Sequence, residues 1–341
     1  MAKPLSKPLG IAVNPASGKD IRRLVARASV FDNQEKRAIV RRALVGAVEA
    51  GVRDVCYVPD SHHIARSALE EFEGKLHAQA VDSPQTSSVI DTVGGARALA
   101  ERDCGAVLTL GGDGTNRAFC IGWQDAPLMP ISTGTNNVFP VLVEATLAGA
   151  AAGLVASGRL TLIEAASRAK AITVKVEGER DDFALIDAVV TRERFVGSRA
   201  LLDGDMLKAA LLTRADPAAA GMTSIGGLIK PVGEEEDHGL YLELDPAANG
   251  VNAPIAPGLY QIIGVAAHRR VAFGKAITVT GPCVLAFDGE RERALKPGQK
   301  ATLRIQRDGP WVIDVGRAMQ LAAERGLFRI ERARKARRKA S

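Results

Sequence analysis

Thr109-Leu110-Gly111-Gly112-Asp113-Gly114-Thr115-Asn116 sets three glycines around one carboxylate, between two apolar segments. Upstream, Ala106-Val107-Leu108 has the length and character of a buried strand, and downstream Arg117-Ala118-Phe119-Cys120-Ile121 can open a helix. Glycines at a strand end admit positive φ and let backbone N–H groups approach a ligand, while a helix start adds unpaired N–H donors. Together they suit a phosphate. Asp113 would stand beside it as the loop's one negative side chain. Neither common phosphate signature is present: a dinucleotide fingerprint needs glycine where Arg117 stands, and no Lys-Ser or Lys-Thr follows the glycines as in a Walker loop. Taken alone the stretch also fits an ordinary tight turn, so the decision falls to the rest of the chain.

Two further loops share its character. Leu9-Gly10-Ile11-Ala12-Val13 reads as a short strand ending in Asn14-Pro15-Ala16-Ser17-Gly18, where Asn, Pro and Gly force a turn. Residues 126–131 read as another strand, ending in Ser132-Thr133-Gly134-Thr135-Asn136-Asn137. Small polar loops at the carboxyl ends of parallel strands face one cleft, where open α/β sheets bind ligands. Between them the spacing predicts helices over 20–28, 33–50 and 89–103 and a strand over 52–58. The second helix has Val40, Leu44, Ala47 and Val48 on one face, Asp32 or Asn33 as its cap and Gly51 as its stop. His62 and His63 lie in a polar, helix-like stretch and read as surface residues.

From about residue 171 the pattern changes to short strands split by Gly, Pro and Asp turns. They are expected at 172–176, 184–191, 240–244, 260–266, 276–280, 283–287, 301–306 and 311–313, followed by a helix over 316–325. The expected architecture is an α/β N-terminal domain, a parallel sheet flanked by helices, plus a β-rich C-terminal domain. The boundaries expected are 1–145, 146–315 and a C-terminal helix with basic tail, 316–341, returning to the first domain.

A chain of 341 residues exceeds what one core usually supports, in agreement with two domains. With 46% hydrophobic and 25% charged residues the composition is that of a soluble globular protein. Aromatics make up only 4%, which weighs against single-stranded nucleic acid binding by stacking. Much of the net charge of +6 sits in the last dozen residues, a solvated helix end or frayed terminus. The four cysteines, Cys56, Cys104, Cys120 and Cys283, show no metal-ligand spacing, so neither a zinc site nor a disulfide framework is expected. The longest apolar run, 145–156, is too short to span a membrane.

In this order the loops resemble the NAD kinase and diacylglycerol kinase superfamily, and most closely the acetoin catabolism protein X branch of the ATP-NAD kinase-like family. Gly111-Gly112-Asp113-Gly114-Thr115 is similar to the superfamily's central loop, and Asn14-Pro15-Ala16-Ser17-Gly18 to the N-terminal loop of its lipid kinases. Gly134-Thr135-Asn136-Asn137-Val138-Phe139 resembles their Gly-Thr-x-Asn-Asp-Phe element with Val138 in place of Asp, and Asp288-Gly289-Glu290 their late Asp-Gly-Glu element. Two acceptor elements depart. Ile186-Asp187 stands where NAD kinases carry Asn-Glu, and Arg214 to Gly221 stands where they carry a Thr-Pro-Thr-Gly-Ser-Thr-Ala-Tyr run before a double glycine, here Gly226-Gly227.

The resemblance implies an ATP- and Mg²⁺-dependent kinase. It would transfer a phosphoryl group to a hydroxyl of a small molecule, NAD or a small hydroxyketone or polyol, in an interdomain cleft. Asp113 and Glu290 would be catalytic. Asn14, Ser17, Gly112, Gly114, Thr115, Gly134, Thr135 and Asn137 would hold the nucleotide, and Asp187 and Ser224 the acceptor; no metal ligand can be assigned. A cytoplasmic homo-oligomer, dimer or tetramer, is expected, with neither nucleic acid nor membrane as partner. The alternative is a non-catalytic nucleotide-binding sensor of a catabolic pathway.

Overall fold

The computed structural model describes residues 6–18, 31–133, 137–192 and 204–330. The helix expected over 20–28 and the basic tail beyond 330 lie outside them. The N-terminal part alternates β1 (Leu9–Val13), α1 (Asn33–Glu49), β2 (Asp54–Tyr57), α2 (Ile64–Leu69), β3 (His77–Ala80), α3 (Val89–Glu101), β4 (Ala106–Gly111), α4 (Asp113–Gly122), β5 (Pro127–Ser132) and α5 (Ala145–Ala156). β1, β4 and β5 are buried at every position, as strands covered on both faces must be. Leu9, Ile11 and Val13 pack with Val40 and Leu44 of α1 and Ala148 of α5 in one core. Ala12 and Val107 pack with Leu99 of α3 and Phe119 of α4 in a second.

Local chemistry sets the helix ends. Asp32 caps α1 by accepting from the Glu35 N–H at 2.8 Å, and Gly51, at φ 97°, stops the chain behind it. The apolar run 145–156 is a helix laid against α1. A side chain on Gly46 or Gly149 would collide with the backbone of Thr146 or Ala43, so these glycines allow the two helices to touch.

The second part runs α6 (Leu162–Ala165), β6 (Ala166–Arg168), β7 (Ala171–Val176), β8 (Asp182–Ala184), β9 (Asp187–Thr191), β10 (Leu207–Leu212), α7 (Met222–Gly227), β11 (His238–Leu244), β12 (Gly250–Ala256) and β13 (Leu259–Ala272). It continues with β14 (Ile277–Thr280), β15 (Cys283–Phe287), β16 (Glu290–Leu295), β17 (Lys300–Gln306), β18 (Trp311–Ile313) and α8 (Val315–Glu324). Three sheets result, ordered β3-β2-β1-β4-β5-β18-β6, β12-β13-β11-β10-β9-β15-β16 and β14-β17-β7-β8. The first is parallel except for β6, and the other two are antiparallel. β18 returns to pair with β5, and α8 buries Ala318 and Ala322 in the first core.

The segment 184–191, expected as one strand, is broken at Leu185-Ile186. The Asp288 carboxylate takes the N–H groups of Leu185, Ile186 and Asp187 at 2.9, 2.8 and 3.1 Å, so they are withdrawn from strand pairing. Elsewhere in the second part, buried Lys170 donates from Nζ to the carbonyls of Gly233, Glu236 and His238 at 2.7, 3.1 and 3.0 Å, closing that turn.

Candidate active site

Strand order reverses between β1 and β4, and the crevice at such a switch point opens at the carboxyl ends of the strands. The register sets Val13 opposite Leu110, so the Asn14 and Gly111 loops leave the sheet side by side. The Asn14 N–H donates to the Leu110 carbonyl at 3.0 Å. Above them lies a cleft of about 990 Å³ whose walls come from both parts of the chain.

The first wall is built on α4. Its N-cap, Gly112, has no side chain with which to cap the helix, so the first-turn donors are left to a ligand. Asn14 Nδ2 donates to Thr115 Oγ1 at 2.9 Å, and Asn14 Oδ1 accepts from the Ala16 N–H at 2.9 Å, which fixes the turn beside the glycines. Ser17 Oγ donates to the Asn14 carbonyl and pairs with Thr133 Oγ1, both at 2.8 Å. Asn137 Nδ2 donates to Ser132 Oγ at 2.8 Å, holding the end of the third loop over Gly112.

Asp113 opens α4. Its Oδ1 accepts from the N–H groups of Val138 at 3.0 Å and Phe139 at 2.7 Å. The group is open to the cleft on one side and hemmed in by protein on the others. Burial pushes its carboxyl up to about 7, against the opposing Phe139 bond, and the negative Asp288 adds to the rise. A carboxyl raised in this direction lies closer to the range suited to proton exchange with a substrate at neutral pH.

The second wall supplies acids. Asp288 and Gly289 form a turn at φ 49° and 83°, and Glu290 follows at the start of β16. A Cβ on Gly114 would sit 2.6 Å from Glu290 Oε1, so the glycine loop and this carboxylate are in direct contact across the cleft. Asp187 is 7% exposed, and its Oδ1 is sealed from solvent with no hydrogen-bond partner. Burial raises its pKa well above the ordinary carboxylate value, with Asp288 and then Asp113 adding to the rise. Burial likewise raises Asp288, opposed by the Leu185 and Ile186 N–H groups. Repulsion among the three acids favours their protonated forms. Among the described residues no group of three acidic, histidine or cysteine side chains could cage a metal ion.

Of the residues singled out in the sequence, Asn14, Ser17, Gly112, Asp113, Gly114, Thr115, Asn137, Asp187 and Glu290 all line this one cleft. Gly134 and Thr135 lie outside the described residues. Ser224, expected at the acceptor, is placed differently: it is fully buried, with its hydroxyl donating to the Gly221 carbonyl at 2.7 Å, and its neighbour Thr223 lines the cleft instead. His62, read as a surface residue, is exposed but stands on the cleft wall, and Ser87 and Ser88 line the same wall. Lys36 was not foreseen. Its Nζ donates to the carbonyls of Asn14, Pro15 and Ser17 at 3.0, 2.9 and 2.6 Å, gathering the first loop from below. A lysine in phase with Val40 and Leu44 on an apolar helix face was its one sequence signal.

Comparison with known proteins shows the family and the fold. Residues 9–160 match the family model of the ATP-NAD kinase N-terminal domain, and residues 170–308 that of the acetoin catabolism protein X C-terminal domain. The chain is 37% identical over 337 residues to acetoin catabolism protein X of Cupriavidus necator, covering 94% of each protein. Among solved structures, a candidate diacylglycerol kinase of Bacillus anthracis strain Sterne shares the fold with a TM-score of 0.50 at 13% identity, over 91% of this chain and 98% of that one. Yeast NADH kinase in complex with NADH gives 0.49 at 16% identity, over 98% and 92%.

Proposed function

We propose, from the premise that this chain belongs to the acetoin catabolism protein X family and has an NAD kinase-like two-domain fold, that it is an ATP-dependent kinase acting on a hydroxyl of a small molecule. One observation carries the reading: the Asp113 carboxylate opens an uncapped helix between two glycines, in the wall that faces Glu290. ATP would supply the phosphoryl group, and Mg²⁺ would neutralise phosphate charge. Mg²⁺ would enter on the nucleotide, since this ion usually keeps several waters and substrate phosphates among its ligands.

The chain's own residues bind and orient. Backbone donors at Gly114 and Thr115 and the α4 dipole meet phosphate charge, while Asn14, Ser17 and Asn137 set the width of the loop pocket. The Asp113 carboxylate orients the acceptor hydroxyl and takes its proton late, as a loose phosphoryl transfer allows. Asp187, at the base of the second wall, lines the cleft where the acceptor would bind.

An ATP-consumption screen over NAD, NADH, small hydroxyketones and polyols tests the reading directly. Asp113→Asn is expected to lower turnover by about 100-fold or more while ATP affinity is largely retained. Equal loss of both removes Asp113 from the chemistry. Turnover should rise with pH through about 7 as Asp113 deprotonates. Stability runs the other way: this carboxyl titrates near 3.9 in the unfolded chain, so the folded state binds more protons between about pH 4 and 7 and loses stability as pH rises across that window. The altered acceptor elements, Ile186-Asp187 and Arg214 to Gly221, favour a second reading, a nucleotide sensor. ATP binding without turnover on any acceptor would establish it in place of the kinase.

A further inference from the structure

Arg117 occupies the position where a dinucleotide fingerprint would have its last glycine, and the structure gives it a task. It lies one helical turn beyond Asp113, is almost fully buried, and reaches out of the first wall into the second. Its Nη2 donates to Asp182 Oδ1 and its Nε to the Phe183 carbonyl, both at 2.6 Å, and its guanidinium carbon stands 5.3 Å from the Phe287 ring, next to Asp288. The other oxygen of the same carboxylate, Asp182 Oδ2, accepts from Arg293 Nε at 3.0 Å. Arg293 lies three residues beyond Glu290 on β16 and also donates from Nη1 to Glu179 Oε2 at 2.9 Å. The side chains of Arg117 and Asp182 are 4% and 7% exposed, so solvent screens their attraction little.

We propose that Asp182 is a positioning residue that fixes the Asp113 and Glu290 walls of the cleft relative to one another by holding one arginine from each. The carboxylate divides its two oxygens between α4 and β16, so a shift of either wall must break a charge-assisted bond. Such bonds weaken steeply with misalignment, which makes the clamp sensitive to small displacements. The inference rests on the proposal that Asp113 and Glu290 are the catalytic pair, but its mechanical half can be measured without any activity.

Asp182→Asn keeps the shape and loses the charge. Hydrogen exchange of the free variant is expected to rise at residues 112–118 and 287–294 together, while β12 and β13 exchange as in the natural protein. A rise in only one of the two segments, or in neither, overturns the clamp. With an acceptor that is turned over, kcat per folded molecule should fall by about tenfold to 100-fold with the ATP dissociation constant unchanged, the result expected of misplacement. An unchanged kcat with a lowered melting temperature would make the role merely structural and refute the proposal. Should Asp182→Asn fail to fold, Arg293→Met removes only the more exposed arm, and Arg293→Lys must restore part of what Arg293→Met loses. If the natural protein turns over no acceptor, the kinase reading fails and the exchange measurement still decides the clamp.

Discussion

Lys36 and Lys170 are 0% and 3% exposed, and each donates from Nζ to three backbone carbonyls, yet one gathers the Asn14 to Ser17 turn at the cleft and the other closes the turn at 233–238 outside it. A buried ammonium is tolerated in both places because carbonyl dipoles replace the water it gave up. The two sites share the pattern of one ammonium on three carbonyls, and they differ in the loop being held. Stability measurements alone should not separate them, whereas ligand binding should.

Lys36→Met is expected to give the largest effect. It orphans three carbonyls at the cleft edge, costs about 3 kcal/mol or more of stability and weakens ATP binding at least about tenfold, as denaturant unfolding and calorimetry would read. Unchanged affinity would break the comparison, since the first loop would then keep its shape without the lysine. Lys170→Met should lose a similar amount of stability while ATP affinity and kcat per folded molecule stay as they were; a fall in either would tie the distant turn to the site.

The smallest effect is in pH. Burial pulls Lys170 down to about 8, against about 10.4 when unfolded. The unfolded chain then binds more protons between those values, so this group makes stability rise with pH across that window. Unfolding profiles of the natural protein and Lys170→Met should diverge there and run parallel below about pH 7.

The elements read correctly from the sequence are those whose signal is local. The strand-end loops at 14–18 and 111–115 announce themselves by glycine and small polar residues after apolar runs, and Cys283–Phe287 is a strand with the bounds its apolar run suggests. β3, His77–Ala80, has no apolar alternation and is exposed at every position; only pairing with β2 makes it a strand. The break within 184–191 depends on a carboxylate about 100 residues away in the chain, Asp288, and no window of local sequence contains that information. Lys36, Lys170, Arg117 and Asp182 belong to the same class. Each reads as an ordinary charge on a helix or strand until tertiary contacts show what it holds. Ser224 erred in the other direction, a small hydroxyl in a glycine-rich stretch that turned inward to bond its own backbone.

β18 also bears on biosynthesis. It comprises only Trp311–Ile313, but it sits between β5 and β6 in the first sheet, so that sheet is finished by residues translated after the entire second domain. While the ribosome makes residues 170–308, β5 presents an open edge, the template on which unfinished chains pair with one another. The two strands of chain that cross between domains meet at Ala169, whose carbonyl accepts from the Gly309 N–H at 3.0 Å and whose N–H donates to the Pro310 carbonyl at 2.9 Å. A gene cut near residue 165 to express the first domain alone would leave that edge permanently bare. Such a product should be recovered as aggregate, whereas a permuted gene that supplies 309–330 directly after residue 168 should yield a soluble first domain.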